Sequence, residues 1–163
     1  MKAASLKEIK EELNVKSPNE LLNICLHFAK FKKENKELLT YLLFEANNEN
    51  NYIEEVKLDI KSQFETLNHT SYYLAQKSVR KVLKNCKKHI RYSKKTQTEI
   101  EILIYFCAQV LEISQFYSHN TSLLIIYSKQ IEMVRKKINT LHEDLQYDYN
   151  LMLEDIEYID GER

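Results

Sequence analysis

Residues 77–91 carry the side chains whose types and spacing point most directly to chemistry. Seven of them are basic, and at 100° per residue they fall within about one third of a helix circumference. They are Lys77, Arg80, Lys81, Lys84, Lys87, Lys88 and Arg91, with Lys94 and Lys95 just beyond. Apolar residues such as Val79, Val82 and Cys86 lie on the opposite side. The pattern predicts a helix that buries one stripe and presents a row of cations, which suits anion or partner binding.

The neutral total charge conceals a strong asymmetry along the chain. Residues 71–98 hold nine basic side chains and no acid, whereas residues 139–163 hold eight acids and one Arg. The sequence therefore predicts a basic helix and an acidic tail, and the tail is one candidate partner for the basic helix.

Three interpretations of the basic stripe remain open. It is a solvated face or one paired with the acidic tail, a nucleic-acid surface, or a surface for an acidic protein. Tyr72, Tyr73 and Tyr92 near its ends favour nucleic acid, because tyrosine rings stack on bases. The isoelectric point of about 7.0 and the lack of a recognised nucleic-acid motif count against it.

Other chemistry has weak support in the sequence. Gly161 is the single glycine, so a glycine-rich phosphate loop and a nucleophile elbow are excluded. Cys86 and His89 are three residues apart, but Cys86 lies on the apolar stripe, where cysteines usually pack. Residues 142–144 with Asp148 offer metal donors without the repeated Glu/His pairs of a bundle metal site. We expect no enzyme activity, no cofactor and no metal.

Composition predicts the fold class. One glycine and one proline, Pro18, are too few for the tight turns of a sheet. Ser17, Pro18 and Glu20 form a helix start with a capping box. We therefore predict an all-α chain of six to eight helices in antiparallel hairpins, arranged as an irregular bundle or a short HEAT-like stack.

The helices are expected to pair in chain order within a single domain over residues 1–163. Residues 1–16 form a peripheral helix, and the pairs are 18–31 with 35–47, 51–67 with 71–91, and 97–112 with 121–138. The central core is expected to contain Leu103, Phe106, Cys107, Val110, Leu39, Leu42, Leu43 and Phe28.

The C-terminal apolar stripe keeps a 3, 4 rhythm for some 35 residues, as in a coiled-coil seam. This continuity favours one long helix over residues 121–159 with an acidic end, and a break at Thr140 is the alternative. So long a helix predicts either self-association through it or a fold-back of its distal half.

The cellular setting follows from cysteines and hydropathy. Cys25, Cys86 and Cys107 are far apart, which suits a reducing compartment. No signal sequence follows Met1, and the most apolar run, residues 100–111, is too short to span a bilayer. We expect a soluble cytoplasmic protein.

Two segments resemble small uncharacterised bacterial all-helical proteins. They are residues 31–45, FKKENKELLTYLLFE, and residues 140–149, TLHEDLQYDY. The resemblance implies a soluble bacterial helical protein and carries no activity, so it assigns no functional residue.

The sequence as a whole favours a non-enzymatic helical interaction or scaffold module that binds an unknown protein or itself through the C-terminal helix. The alternative is an RNA- or DNA-binding protein that uses the basic stripe of residues 77–95. No membrane or small-molecule partner is expected.

Overall fold

The computed structural model describes residues 2–67, 71–117 and 121–161, with side chains described as far as residue 156. Throughout these ranges the regular elements are helical, which confirms the all-α prediction. The chain divides into two compact units, residues 1–44 and residues 45–163. The single domain over residues 1–163 stays a prediction.

The N-terminal unit contains three helices, α1 (Leu6–Asn14), α2 (Pro18–Phe31) and α3 (Lys33–Thr40). A π-helical segment, Tyr41–Glu45, continues α3. The predicted capping box of α2 is confirmed, because the Ser17 backbone N–H donates to Glu20 Oε2 at 2.8 Å and the Ser17 hydroxyl accepts from the Glu20 N–H.

The predicted pairing of α2 with α3 is also confirmed. The two helices are joined at their turn by a side-chain contact, in which Asn35 Nδ2 donates to the Phe28 carbonyl at 2.9 Å. This unit is therefore a helical hairpin preceded by the short helix α1.

The C-terminal unit contains five helices around a central one. They are α4 (Glu49–Glu65), α5 (Tyr72–Ser93), α6 (Thr96–Ser114), α7 (Thr121–Ile138) and α8 (Glu143–Gly161). The α4–α5 and α6–α7 pairs are present as predicted, and α6 also contacts α4, α5 and α8. The arrangement is a bundle around α6, whose buried residues cover most of its circumference, while Gln97 and Glu112 are exposed to solvent.

The prediction of one long helix over residues 121–159 is wrong. Helix α7 ends at Ile138, and α8 begins at Glu143 after a turn. The Thr140 hydroxyl donates to the Lys137 carbonyl and the Gln146 amide donates to the Leu141 carbonyl, each at 2.7 Å, so polar side chains satisfy carbonyls around the break.

The reason for the break is burial. A single helix would leave its distal apolar stripe without a surface to cover it, whereas the fold-back packs α8 against α6 and α7. Tyr149, Leu153 and Ile156 are buried as a result. The fold-back that the sequence offered as an alternative is what the chain adopts.

The core prediction is half correct. Leu103, Phe106, Cys107 and Val110 on α6 are at most 1% exposed. In the N-terminal unit the prediction is wrong, because Phe28, Leu42 and Leu43 are 56%, 55% and 60% exposed and Leu39 is only half-buried. A hairpin of two short helices has one internal face, and it covers only a part of the apolar residues that this segment carries.

Candidate interaction surfaces

The basic stripe lies on the outer surface of α5. We call the seven residues Lys77, Arg80, Lys81, Lys84, Lys87, Lys88 and Arg91 the basic face. All are exposed except Lys88, which is half-buried. Val79, Val82 and Cys86 on the opposite side of α5 are at most 2% exposed. The amphipathic pattern of this helix is therefore found as the sequence predicted it.

The two lysines beyond α5 have other surroundings. Lys94 is the C-cap of α5, with a φ of 59° in the left-handed region, and its N–H donates to the Ile90 carbonyl at 2.9 Å. Lys95 Nζ lies 2.8 Å from Glu49 Oε2. The other Glu49 oxygen accepts hydrogen bonds from the hydroxyls of Ser93 and Thr98.

This Glu49 cluster joins the start of α4, the end of α5 and the start of α6. Because Lys95 forms an ion pair with Glu49, we do not count it as part of the basic face.

Six of the seven residues of the basic face, all but Lys88, have no ion pair with an acid among the described residues. No ion pair within 4.0 Å joins a described acid to Lys77, Arg80, Lys81, Lys84, Lys87 or Arg91. The acids of α8 described to residue 156 are all exposed, and they are Glu143, Asp144, Asp148, Glu154 and Asp155.

Packing explains why these acids stay apart from α5. Helix α8 packs on α6 and α7, and its buried Tyr149 donates a hydrogen bond to Glu101 Oε1 on α6 at 3.1 Å. Its acids occupy the opposite side of the helix and face solvent.

The three tyrosines considered for base stacking differ in accessibility. Tyr73 is 68% exposed, whereas Tyr92 is 9% exposed. The Tyr72 ring packs edge-on against Tyr117, and its hydroxyl accepts from the Ser122 N–H at 3.0 Å. Two of the three rings are therefore occupied in packing and do not form a stacking platform.

Cys86 and His89 do not form an activated nucleophile. Cys86 is fully buried, and burial raises the pKa of its thiol to about 12, so it is protonated at neutral pH. His89 Nδ1 lies 2.9 Å from the Tyr52 hydroxyl, and the His89 ring packs edge-on against Tyr92. The histidine thus ties α4 to α5.

An exposed apolar surface, which the sequence analysis missed, lies on α2. Ile24, Phe28 and Phe31 follow a spacing of four and three residues and are 44%, 56% and 71% exposed. With Asn23 and His27 they line an open depression. We call Ile24, Phe28 and Phe31 the hairpin face. The sequence signal for this surface was that residues 18–44 contain more apolar side chains than the single internal face of a two-helix hairpin can cover.

The apolar exposure continues into the π-helical segment. Leu42, Leu43 and Phe44 are 55%, 60% and 71% exposed, and Tyr41 beside them is buried. Among the described residues 2–44, Tyr41 is the one buried side chain. The N-terminal unit therefore lacks a developed core of its own.

In the part of the chain that the structure describes, no group of three or more His, Cys, Asp or Glu side chains is placed to hold a metal ion. Over the same residues no helix is long and apolar enough to cross a membrane. No protein-family model matches the chain, and no curated protein or solved structure matches it either.

Proposed function

We propose that the protein is a helical interaction module whose N-terminal hairpin pairs with the hairpin of a second copy. The observation that carries this proposal is the hairpin face together with the missing core of residues 2–44, where α1, α2 and α3 contain no buried residue. Domains of about 40 residues or fewer usually need a disulfide, a metal or an oligomeric partner to fold stably. A partner hairpin supplies the missing apolar surface.

The geometry of the hairpin face suits a helical partner. Ile24, Phe28 and Phe31 have the spacing of anchors by which one helix binds another along a groove. A twofold pairing brings α2 and α3 of each copy together as four helices, and twofold dimers are the commonest oligomers. Basic and acidic residues alternate on α3, including Lys33, Glu34 and Lys36, so two copies meet without a concentration of like charge.

The exposed area of the hairpin face suits a weak and reversible dimer. A phenylalanine offers about 150–250 Å² of surface, so the exposed parts of Phe28, Phe31 and Ile24 sum to roughly 300 Å² per copy. Two copies would bury on the order of 600 Å², worth about 15 kcal/mol at 25 cal/mol/Å². Association costs about 4–15 kcal/mol. A cost in the middle of that range, about 9.5 kcal/mol, leaves about 5.5 kcal/mol, which corresponds to a dissociation constant of roughly 0.1 mM.

Light scattering after size exclusion, over about 1–200 µM full-length protein, tests the proposal. The parent is expected to shift from monomer at 1 µM to a mixture of monomer and dimer at 200 µM, and Phe28→Ser with Phe31→Ser is expected to remain monomeric. A matched control, Leu58→Ser with Tyr73→Ser, removes two exposed apolar side chains from the C-terminal unit. This control is expected to dimerise like the parent.

Two results would refute the pairing of hairpins. One is a parent that stays monomeric at 200 µM. The other is a dimer that forms equally well when both phenylalanines are replaced, because such a dimer would use another surface.

A further inference from the structure

We infer that a groove between the C-terminal ends of α4 and α6 binds an arginine side chain of a partner peptide. Six residues line this groove, and they are Phe64, Glu65, Gln109, Glu112, Ile113 and Phe116. The open cavity between them measures about 180 Å³. All six belong to the C-terminal unit, so the groove is separate from the hairpin face and does not depend on the proposed dimer.

The groove has a carboxylate from each of its two helices. Glu65 is the last residue of α4, and Glu112 lies on α6, three residues after Gln109. Both carboxylates are exposed. Among the described residues the Glu112 side chain accepts a hydrogen bond from Gln109 Nε2 at 3.3 Å and takes part in no ion pair.

The floor of the groove is apolar. Phe64 and Ile113 are 6% and 4% exposed, and the Phe64 ring packs edge-on against Phe106 with ring centres 5.9 Å apart. Phe116 at the rim is 69% exposed and has an interaction of its own, so we assign binding to the carboxylates and the floor. A ligand that fits this groove therefore needs an apolar stem and a positively charged end.

The lysines on this side of α4 do not neutralise the groove. Lys57 forms ion pairs with Glu54 at 2.8 Å and with Glu101 at 3.0 Å, so other acids already balance its charge. Lys61 Nζ lies 4.0 Å from Glu65 Oε1, and both side chains are more than half exposed. Such an exposed pair is weak, and an incoming cation can replace Lys61.

The effect on Tyr105 shows that the two carboxylates act on one place. Tyr105 lies seven residues before Glu112, on the same side of α6. Burial raises the pKa of the Tyr105 hydroxyl, Glu112 and Glu65 raise it further, and Lys57 opposes them. The negative potential of Glu65 on α4 and of Glu112 on α6 therefore overlaps, which favours a cation between the two helices.

An arginine side chain meets both requirements of the groove. Its aliphatic stem can cover the apolar floor, and its planar guanidinium can donate to the two carboxylates at the same time. A lysine ammonium is a more strongly hydrated point charge and lacks this fork of donors. Because the groove is open, the backbone that carries the arginine stays outside it, which suits a peptide.

An NMR titration of the full-length protein with the capped peptide acetyl-Gly-Arg-Gly-amide, at about 50 mM salt, tests the inference. Amide signals of residues 64–65 and 109–113 should shift and saturate with a dissociation constant of roughly 1–5 mM, because one side chain supplies the contacts. The same peptide with citrulline, which has nearly the same shape and no charge, should bind at least about 10-fold more weakly.

Two pairs of substitutions locate the site. Glu65→Gln with Glu112→Gln removes both carboxylates and should weaken binding of the arginine peptide by about 10-fold or more. The matched control, Asp148→Asn with Glu154→Gln, removes two exposed carboxylates of α8 and should bind the peptide like the parent. The inference is overturned if signals of the groove do not shift at up to about 50 mM peptide, or if the control loses as much affinity as the groove variant.

Other cations test the assignment to a peptide arginine. The same peptide with lysine should bind about threefold or more weakly than the arginine peptide, because it lacks the fork of donors. Equal binding of the lysine or the citrulline peptide would show that the groove does not recognise guanidinium. Binding of spermidine at least about 10-fold more tightly than the arginine peptide would make the groove a site for a free polyamine, and the inference would be wrong.

Discussion

Leu103 is the position at which the account of the core can be tested most sharply. It lies on the central helix α6 and is 1% exposed, and α6 is contacted by α4, α5, α7 and α8. Leu58 on α4 belongs to the same unit and is 65% exposed. Leu→Ala at the two positions removes the same atoms from opposite environments.

The size of the effect follows from the surroundings of each side chain. Leu→Ala substitutions in cores cost about 2.7–5.0 kcal/mol, and the cost is higher where neighbours cannot move into the cavity. Four helices hold the walls around α6, so we expect Leu103→Ala to lower the free energy of unfolding by about 4 kcal/mol. Leu58→Ala removes a side chain that is mostly in water and should cost less than about 0.5 kcal/mol.

Urea unfolding followed by far-UV circular dichroism measures both changes. With a slope of about 2 kcal/mol/M, the midpoint of Leu103→Ala should fall by roughly 2 M and that of Leu58→Ala by less than about 0.3 M. Equal shifts for the two variants, or a shift below about 0.5 M for Leu103→Ala, would show that α6 is not the centre of the bundle.

Three further results are expected. Burial, with the nearby Glu101, raises the pKa of Tyr149 to about 12 in the folded protein. As pH rises, the unfolded chain therefore loses the Tyr149 proton at a lower pH than the folded protein does. Stability should then fall as pH rises from about 10 to 12, and urea midpoints of Tyr149→Phe should fall less over that window. With a thiol reagent at neutral pH, exposed Cys25 should react at once and the two buried cysteines only after unfolding. Replacing Lys77, Lys81 and Lys84 with Gln removes like-charge neighbours from α5 and should raise the free energy of unfolding by about 1 kcal/mol at 20 mM salt, a gain that 1 M salt abolishes.

The fold class and the C-terminal core could be predicted because local pattern decides them. The apolar run around Leu103 is long enough that any packing buries it, and the capping box at Ser17 marks a helix start without reference to the rest of the chain. The amphipathic pattern of α5 likewise depends on spacing alone, so the positions of its basic residues were predictable.

The turn after Ile138 and the exposure of Phe28 depend on what lies nearby in space, and the sequence pattern does not contain that. The apolar stripe keeps its phase across residues 139–142, so it is equally consistent with a straight helix and with a fold-back that buries Tyr149 on α6. Phe28 has the spacing of a core residue, but the hairpin has no third layer to cover it. The sequence pattern identifies the apolar residues that are suited to burial. Which of them are buried depends on whether another helix packs over them.

The central claim is that the N-terminal hairpin gains its stability from a second copy. Hydrogen exchange of the full-length protein at about 1 µM and 200 µM tests it most directly, because amide protection reports local stability. The account predicts that protection of amides in α2, residues 18–31, rises with protein concentration, while protection in α6 does not change. Equal protection of α2 at both concentrations would contradict the claim.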